Sequence, residues 1–175
     1  MAKNLRPQGP RTADYSGVSF DILGDLLSFY ARSVGIVLNR DYDRAIGKVA
    51  LAHGTGKVSV LLMVHANPGI RPSVIAHFID KDRSAMARLI DQMKRNGLIE
   101  QKVDAQERRA HELYLTPKGE KLVDEVRRIA KEQSDRFFSV LEEADRADLL
   151  RILMTLYQRH VTPLPDIVLN RKATA

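Results

Sequence analysis

The 175-residue sequence contains no cysteine. A disulfide framework, a zinc site built on thiolates and redox sensing through a thiol are therefore excluded together. Histidine offers little in their place, because His53, His65, His77, His111 and His160 never fall at i, i+4 spacing on one helix. We predict no metal site and no cofactor.

Long hydrophobic runs are absent as well. The strongest run, Val58 to Val64, is far too short to cross a bilayer, and Met1 to Pro7 lack the apolar stretch of a signal peptide. We therefore expect a cytoplasmic protein with no membrane partner. Glycine and proline are few between residues 16 and 160, so we expect a single domain there, between a flexible basic arm at 1–15 and a C-terminal tail at 161–175.

Basic residues outnumber acidic ones. The chain has 28 Lys and Arg against 22 Asp and Glu, a formal net charge of +6 and a pI near 9.7. This balance favours a polyanionic partner such as nucleic acid without proving one. With 44% hydrophobic and 29% charged residues, the composition is that of a soluble globular protein.

Two short helices joined by a tight turn are predicted after residue 71. Pro72 fits the first turn of a helix that runs to about Ile79, because its missing N–H costs nothing there. After a turn at Asp80-Lys81, Asp82 can cap a second helix to about Asn96, which Gly97 ends in a left-handed conformation. Four apolar residues of this helix face the core at i, i+3, i+4, i+7 spacing: Met86, Leu89, Ile90 and Met93. Its outer face then holds Ser84, Ala87, Arg88, Asp91 and Arg95.

Two short segments, 98–103 and 110–116, follow with a polar loop between them. The second alternates apolar and polar residues with a period of two, as a half-buried strand does. Thr116-Pro117 then starts another helix with a cap and a first-turn proline. This order of elements predicts a winged helix-turn-helix over residues 57–116, including a helix at about 57–66.

Long apolar helices flank this unit. We predict them from Ser19 to about Leu38, from 117 to about 136, and near 143–160, with a kink or loop in 40–56 because of its glycines. The winged unit needs neither the first nor the last helix to fold, so we predict that 18–40 and 117–160 are dimerisation helices. The fold class is mainly α with a small β-hairpin wing, plus N- and C-terminal dimerisation helices.

Five fragments stand in a set order between residues 58 and 125: Ile75-Ala76, Arg88-Leu89-Ile90-Asp91, Arg95-Asn96-Gly97-Leu98-Ile99, Glu107-Arg108-Arg109-Ala110 and Leu115-Thr116-Pro117-Lys118-Gly119. In order and spacing they resemble the MarR (multiple-antibiotic-resistance regulator) family of winged-helix transcription regulators. The sequence departs from the family pattern at four positions. Asp80 stands where Gly is frequent and Lys81 where an apolar residue is usual, while Ala85 and Ala87 stand where hydroxyl residues are common.

The resemblance implies a sequence-specific DNA-binding regulator, a ligand-responsive repressor that acts as a homodimer on a double-stranded operator. The N-terminal residues of a recognition helix reach base edges, so Arg83, Ser84, Ala87 and Arg88 are candidates for base contacts, with Arg88 suited to guanine. The other DNA-binding candidates are Ser73 at a helix start, Arg95 on the outer face, and Arg108 and Arg109 in the wing. The alternative for Arg88 is a pair with Asp91 or a nearby Glu.

A small aromatic or acidic effector is also implied by the resemblance. Phe29, Tyr30, Ser33 and His65 are the candidates to line its cleft. The alternative is that Phe29 and Tyr30 are ordinary core residues.

Two other classes of function remain as alternatives. An enzyme is one, although no nucleophile motif, phosphate loop or metal pair is present. A winged helix that binds protein rather than DNA is the other, and it would carry an apolar outer face on its second motif helix.

Overall fold

The computed structural model describes residues 17–47, 49, 55–103 and 111–161. Helices make up most of this part of the chain, and two antiparallel strands form a small hairpin, so the predicted fold class is confirmed. The helices are α1 (Leu27–Ile46), α2 (Thr55–Ala66), α3 (Pro72–Phe78), α4 (Arg83–Arg95), α5 (Pro117–Phe137) and α6 (Glu143–His160), and the strands are β1 (Ile99–Val103) and β2 (His111–Leu115). The predicted basic arm, the wing loop and nearly all of the C-terminal tail lie outside the described residues.

The chain divides into two compact units, one ending at Leu38 and one beginning at Asn39. In the first unit a 3-10 helix, Asp21–Asp25, precedes α1. Ser19 Oγ accepts a hydrogen bond from the Asp21 N–H at 3.2 Å, but Asp21 has a φ of +49°, which a regular α-helix cannot include. The predicted α-helix from Ser19 is therefore wrong at its start, because α1 begins only at Leu27.

The same helix also ends later than the sequence suggests. α1 continues past residue 40 to Ile46, which is buried in the core, and the break predicted within 40–56 comes at Gly47, where the helix ends. Asp41 accepts hydrogen bonds from the Gln133 amide at 2.8 Å and from the Arg136 guanidinium at 2.9 Å, both in α5. These contacts tie the last two turns of α1 to α5.

The core of the second unit is built around α2, whose bounds agree with the prediction. Val60, Leu61 and Val64 of α2 are essentially inaccessible to solvent. They belong to one buried apolar cluster that includes Ile75 of α3 and Met93 of α4. Burial on nearly all sides explains why α2 is apolar around most of its circumference.

The helix-turn-helix follows the sequence prediction closely. Pro72 occupies the first turn of α3, and Asp80 in the turn has a φ of +50°, the left-handed conformation that aspartate tolerates. Asp82 caps α4 by accepting the Ala85 N–H at 2.8 Å, and Gly97, with a φ of +68°, ends the helix. The predicted cap, turn and end of α4 are confirmed.

The wing hairpin pairs β1 with β2 in one register, from Ile99 opposite Leu115 to Val103 opposite His111. Leu113 is fully buried, and it also pairs with Ile70 outside the hairpin, where its N–H donates to the Ile70 carbonyl at 3.1 Å. The two predicted strands are therefore confirmed, and β2 is also hydrogen-bonded to the backbone of Ile70 outside the hairpin.

Residues 96–98 and 116–119 meet in a corner, here named the α4–α5 corner. The Thr116 hydroxyl donates to the Gly97 carbonyl at 2.6 Å and accepts the Gly119 N–H at 3.1 Å. The Thr116 N–H donates to the Leu98 carbonyl at 3.1 Å, and Lys118 Nζ donates to the Asn96 carbonyl at 2.9 Å. The corner thus ties the end of α4 and the root of the wing to the first turn of α5.

The last helix, α6, has the predicted bounds but buries none of its residues. Tyr157 links it to the helix-turn-helix, because its hydroxyl donates to the Phe78 carbonyl at 2.9 Å. Five of its large apolar side chains are exposed: Leu150, Ile152, Leu153, Met154 and Leu156. Within the described residues, no helix is long and apolar enough to span a membrane.

Candidate nucleic-acid interface

The outer face of α4 is the candidate reading surface. Met86, Ile90 and Met93 are buried on one side of the helix, as their spacing predicts. The opposite side exposes every residue predicted for it: Ser84, Ala87, Arg88, Asp91 and Arg95. Arg83, at the start of the helix, is exposed as well.

The first turn of α4 is organised by the Asp82 carboxylate. It accepts the Ala85 N–H at 2.8 Å and the Ser84 hydroxyl at 2.7 Å. The pKa of Asp82 is lowered from the usual aspartate range, first by the Ala85 hydrogen bond, then by the Ser84 hydroxyl, with a smaller effect of the Arg88 charge. Ser84, a predicted DNA contact, is therefore held by its own chain before any DNA arrives.

The arginines of α4 carry no ion pair within the described part of the chain. Arg83, Arg88 and Arg95 make none, so the alternative pairing of Arg88 with Asp91 or a nearby Glu is not found there. Two nearby lysines, Lys94 and Lys102, do have polar partners within the described residues. Lys94 donates to Gln101 at 2.9 Å, and Lys102 pairs with Glu100 at 2.8 Å, which raises the Lys102 pKa. The guanidinium groups are the cations left facing solvent on this helix.

A groove of about 660 Å³ lies between the start of α3, α4 and the wing strands. It brings together Ser73, Arg83 and Ala87, three of the predicted contact residues. Ser84, Arg88 and Arg95 are not part of its lining. Sequence reasoning missed five further lining residues: Arg71, His77, Lys81, Gln101 and His111.

His77 has an unusual environment in this groove. Its Nε2 atom is buried and has no hydrogen-bond partner among the described residues, and its ring packs edge-on against Phe78 with centroids 5.4 Å apart. The only sequence feature that could have marked His77 as a groove residue is its position in the first helix of the motif. The lining residues come from four separate elements, α3, α4, β1 and β2, and no local sequence pattern reveals that these elements meet.

Lys81 shows how the chain accommodates one of its departures from the family pattern. The residue stands where an apolar side chain is usual, yet its aliphatic chain packs against Gly56 of α2. A Cβ placed on Gly56 would lie 2.9 Å from Lys81 Cε and 3.3 Å from a Leu89 methyl group. The absence of a side chain at Gly56 therefore leaves room for the lysine methylenes, which substitute for the missing apolar residue.

The remaining predicted site residues are placed as follows. Phe29, Tyr30 and Ser33 lie on α1 in the first unit, where Phe29 packs edge-on against Tyr30 at 5.3 Å and the Tyr30 hydroxyl donates to the Gly24 carbonyl at 3.1 Å. His65 lies in α2 of the second unit, with its Nδ1 atom 2.9 Å from a Glu120 carboxylate oxygen. Arg108 and Arg109 lie outside the described residues.

Taken together, the helix-turn-helix, the paired wing strands and the exposed arginine-bearing face of α4 define a winged helix-turn-helix protein of the DNA-binding class. The comparisons with known proteins agree. A family model described as the MarR family matches residues 55–110. A Thauera aromatica protein, provisionally named a transcriptional regulatory protein for the hcr operon, is 26% identical over 152 residues, which are 86% of this chain and 90% of that protein.

Two solved structures extend the likeness to the whole fold. The transcriptional repressor CouR, bound to a 23-mer DNA duplex, superposes with a TM-score of 0.73 at 26% identity, covering 79% of this chain and 97% of CouR. The PcaV regulator from Streptomyces coelicolor, in complex with its natural ligand, gives a TM-score of 0.70 at 18% identity over 81% of this chain and 97% of PcaV, which shows a shared fold.

Residues 55–110 of the chain therefore match the MarR family, and the chain as a whole is similar to transcription regulators at 26% identity. The members of this family are transcription regulators and not enzymes, so the enzyme alternative is set aside.

Proposed function

We propose that this protein is a sequence-specific repressor that binds a double-stranded operator as a homodimer and responds to a small aromatic or acidic effector. The observation that carries the proposal is the outer face of α4, where Arg83, Arg88 and Arg95 are exposed and make no ion pair with any described residue. An α-helix fits the major groove, and a planar guanidinium binds guanine O6 and N7 with two hydrogen bonds. The 26% identity to CouR, a repressor that was solved bound to DNA, supports DNA binding by this chain.

Each predicted residue has a part in this proposal. Arg83, Ser84 and Arg88 read base edges from the first turns of α4, and Ala87 packs on a thymine methyl group. Ser73, exposed at the start of α3, and Arg95, at the end of α4, contact phosphates. Arg108 and Arg109 carry the wing's contacts, one in the minor groove and one at phosphate or paired with a wing carboxylate.

Mobility-shift titrations on a genomic or selected site test the proposal. Arg88→Ala should relax base preference, whereas Arg108→Ala and Arg109→Ala should weaken binding to all sequences, because phosphate and minor-groove contacts carry little base information. Arg128→Ala is the matched control, since it also removes one positive charge but from a residue that pairs with Glu132 on α5 at 3.0 Å. Unchanged affinity in all three DNA-face variants, or binding insensitive to salt, would overturn the proposal.

The homodimer is proposed from two sets of exposed apolar side chains. The described chain exposes Leu150, Leu153 and Leu156 on α6 and, in the first unit, residues such as Leu27 and Val34. Apolar helical surface of this extent marks an interaction site. A dimer would place two copies of α4 in successive major grooves, roughly 10 base pairs apart. Light scattering that gives a monomer mass at micromolar concentration would contradict the dimer.

Effector binding is proposed to involve Phe29, Tyr30, Ser33 and His65, which offer two rings and polar groups. PcaV was solved with its natural ligand, so the shared fold accommodates a ligand in that protein. The test is a titration of the protein–DNA complex with benzoate and other aromatic carboxylates, in which the release of labelled DNA is measured. Phe29→Ala should shift the release curve without changing DNA affinity in the absence of ligand.

The second candidate function, a winged helix that binds protein, would be favoured by an apolar outer face on α4. That face instead holds Ser84, Arg88, Asp91 and Arg95. A protein that binds an operator must be in the same compartment as the DNA. This agrees with the cytoplasmic location expected from the sequence.

A further inference from the structure

The hydrogen bond between Ser84 and Asp82 has a defined direction. An ionised carboxylate has no proton to give, so at an Oγ to Oδ1 distance of 2.7 Å the serine hydroxyl must be the donor. The lowered pKa of Asp82 keeps this carboxylate ionised at neutral pH. The one proton of the Ser84 hydroxyl is therefore committed to Asp82.

What remains on Ser84 is acceptor capacity alone. A serine hydroxyl has one O–H donor and two acceptor lone pairs, and only the lone pairs face outward once the proton is engaged. Ser84 is the second residue of α4 and is exposed to solvent. It is adjacent to the predicted base contact Arg83 and lies one turn from Arg88. A serine hydroxyl with no intramolecular partner can either donate a hydrogen bond to a base or accept one from it. The Ser84 hydroxyl, whose proton is engaged, can only accept.

Asp82 also occupies the N-terminus of α4. Its carboxylate receives the Ala85 N–H at 2.8 Å and a backbone hydrogen bond from Ser84. These N–H groups would otherwise favour a DNA phosphate. A carboxylate already bound there repels a second anion, so phosphate binding by this turn is disfavoured and contact with uncharged base edges is favoured.

We propose that Ser84 is a specificity-determining residue that accepts a hydrogen bond from a base amino group, and that Asp82 is the positioning residue that fixes this polarity. In the major groove the amino donors are N6 of adenine and N4 of cytosine, whereas N7 and O6 of guanine and O4 of thymine are acceptors. Ser84 thus selects adenine or cytosine on the strand it faces, and Arg88, which only donates, selects acceptors. This inference rests on the proposed function, since it assumes that α4 reads DNA.

The first step of the test is selection of binding sites from a randomised duplex library with the wild-type protein and with Ser84→Ala. The wild type should enrich one motif, and Ser84→Ala should lose base preference at one position, which identifies the base pair that Ser84 contacts. Every base pair carries one amino donor in the major groove, N6 of adenine or N4 of cytosine, so the second step tests whether Ser84 accepts from it. Absence of any enriched motif would overturn the proposed function together with this inference. An enriched motif that Ser84→Ala leaves unchanged at every position would overturn the inference and leave the proposed function intact.

The second step removes single functional groups from the base at that position. Replacing adenine by purine, or cytosine by 2-pyrimidinone, deletes the amino group and should weaken wild-type binding by about 3- to 10-fold, the usual value of one hydrogen bond. Ser84→Ala should bind both duplexes equally, because the partner of the amino group is already gone. Replacing a purine by its 7-deaza form deletes an acceptor instead and should affect both proteins alike. Coupling of Ser84 to the N7 deletion, or to no base group, would overturn the inference.

The third step isolates the part played by Asp82. Asp82→Gly removes the carboxylate while glycine remains an acceptable residue at a helix N-cap. It frees the Ser84 proton, so guanine and thymine should become acceptable at the same position. A purely structural role of Asp82 would instead weaken binding to all sites equally and leave the base preference unchanged. That result would overturn the role assigned to Asp82.

Discussion

Gly119, the third residue of α5, should not tolerate alanine. A Cβ built on Gly119 would overlap the Leu98 carbonyl oxygen and lie 3.1 Å from the Leu98 carbonyl carbon. Leu98 is 1% exposed, and its carbonyl already accepts the Thr116 N–H at 3.1 Å. Because the group that must move is buried backbone, Gly119→Ala has to displace the root of the wing from the first turn of α5.

The size of the effect follows from three opposing contributions. Alanine is favoured over glycine within a helix by about 1 kcal/mol. Insertion of a carbon into a packed site costs about 1–3 kcal/mol. Disturbance of the Thr116 cap costs about 1 kcal/mol more. We therefore expect Gly119→Ala to lower the free energy of unfolding by about 1–3 kcal/mol.

Gly56→Ala is the matched control, because Gly56 also lies in the first turn of a helix. Its added Cβ would meet the far end of the flexible Lys81 side chain at 2.9 Å and a Leu89 methyl group at 3.3 Å. Lys81 can swing aside, so the helix-propensity gain offsets the crowding and stability should change by less than about 1 kcal/mol.

Urea unfolding followed by circular dichroism, at one fixed protein concentration, measures both variants. With a slope of about 1–3 kcal/mol per molar urea, a loss of about 2 kcal/mol lowers the midpoint by about 1 M. If Gly119→Ala were as stable as the wild type, or more stable by the propensity gain, the packing of α5 on the Leu98 carbonyl would be refuted.

Two further predictions concern the contacts of α1 and α6. The pKa of Asp41 is lowered, first by its hydrogen bond from Gln133 and also by Arg136, so its stabilising contribution is present above the ordinary aspartate pKa of about 4 and is lost as pH falls through the lower folded value. Thermal melts should therefore show a stability difference between wild type and Asp41→Asn that is largest at neutral pH and shrinks below about pH 4; a difference independent of pH would contradict the contact. Tyr157→Phe removes the hydrogen bond to the Phe78 carbonyl and should cost about 0.5–1.5 kcal/mol in urea unfolding, and a gain in stability would contradict the bond.

The sequence predicted the elements of the winged unit well because their signals are local. Asp82, Gly97 and the Thr116-Pro117 pair each act on the nearest turn of backbone. The left-handed Asp80 was also foreseeable, since aspartate tolerates that conformation. Helix ends fixed by caps can thus be read from a few neighbouring residues.

The first helix was misplaced at both ends for physical reasons. The apolar spacing of Ile22, Leu23 and Leu26 does not reveal that Asp21 has a positive φ. Nor does it reveal that Leu26 is extended, with φ −93° and ψ 109°, which separates the 3-10 helix from α1. At the other end, Asp41 is held by Gln133 and Arg136, more than ninety residues away in the sequence. Partners so distant leave no local pattern.

The candidate site was predictable to a similar extent. The outer face of α4 followed from helical spacing, and the groove united Ser73, Arg83 and Ala87 as candidate contacts. Gln101 and His111 were missed because they reach the groove from the wing strands, whose placement depends on tertiary packing. The polarity of Ser84 depends on a 2.7 Å contact, which residue spacing does not specify.

The α4–α5 corner makes α5 a lever for α4. Thr116 and Lys118 fasten the end of α4 to the first turn of a helix of 21 residues. Such a helix is about 30 Å long, so a swing of about 10° about the corner moves its far end, at Phe137, by about 5 Å. If α5 moved as a rigid body about the corner, the hydrogen bonds of Thr116 and Lys118 would carry that rotation to the end of α4. A displacement of the far end of α5 would therefore reorient the outer face of α4, the surface that we propose reads the operator.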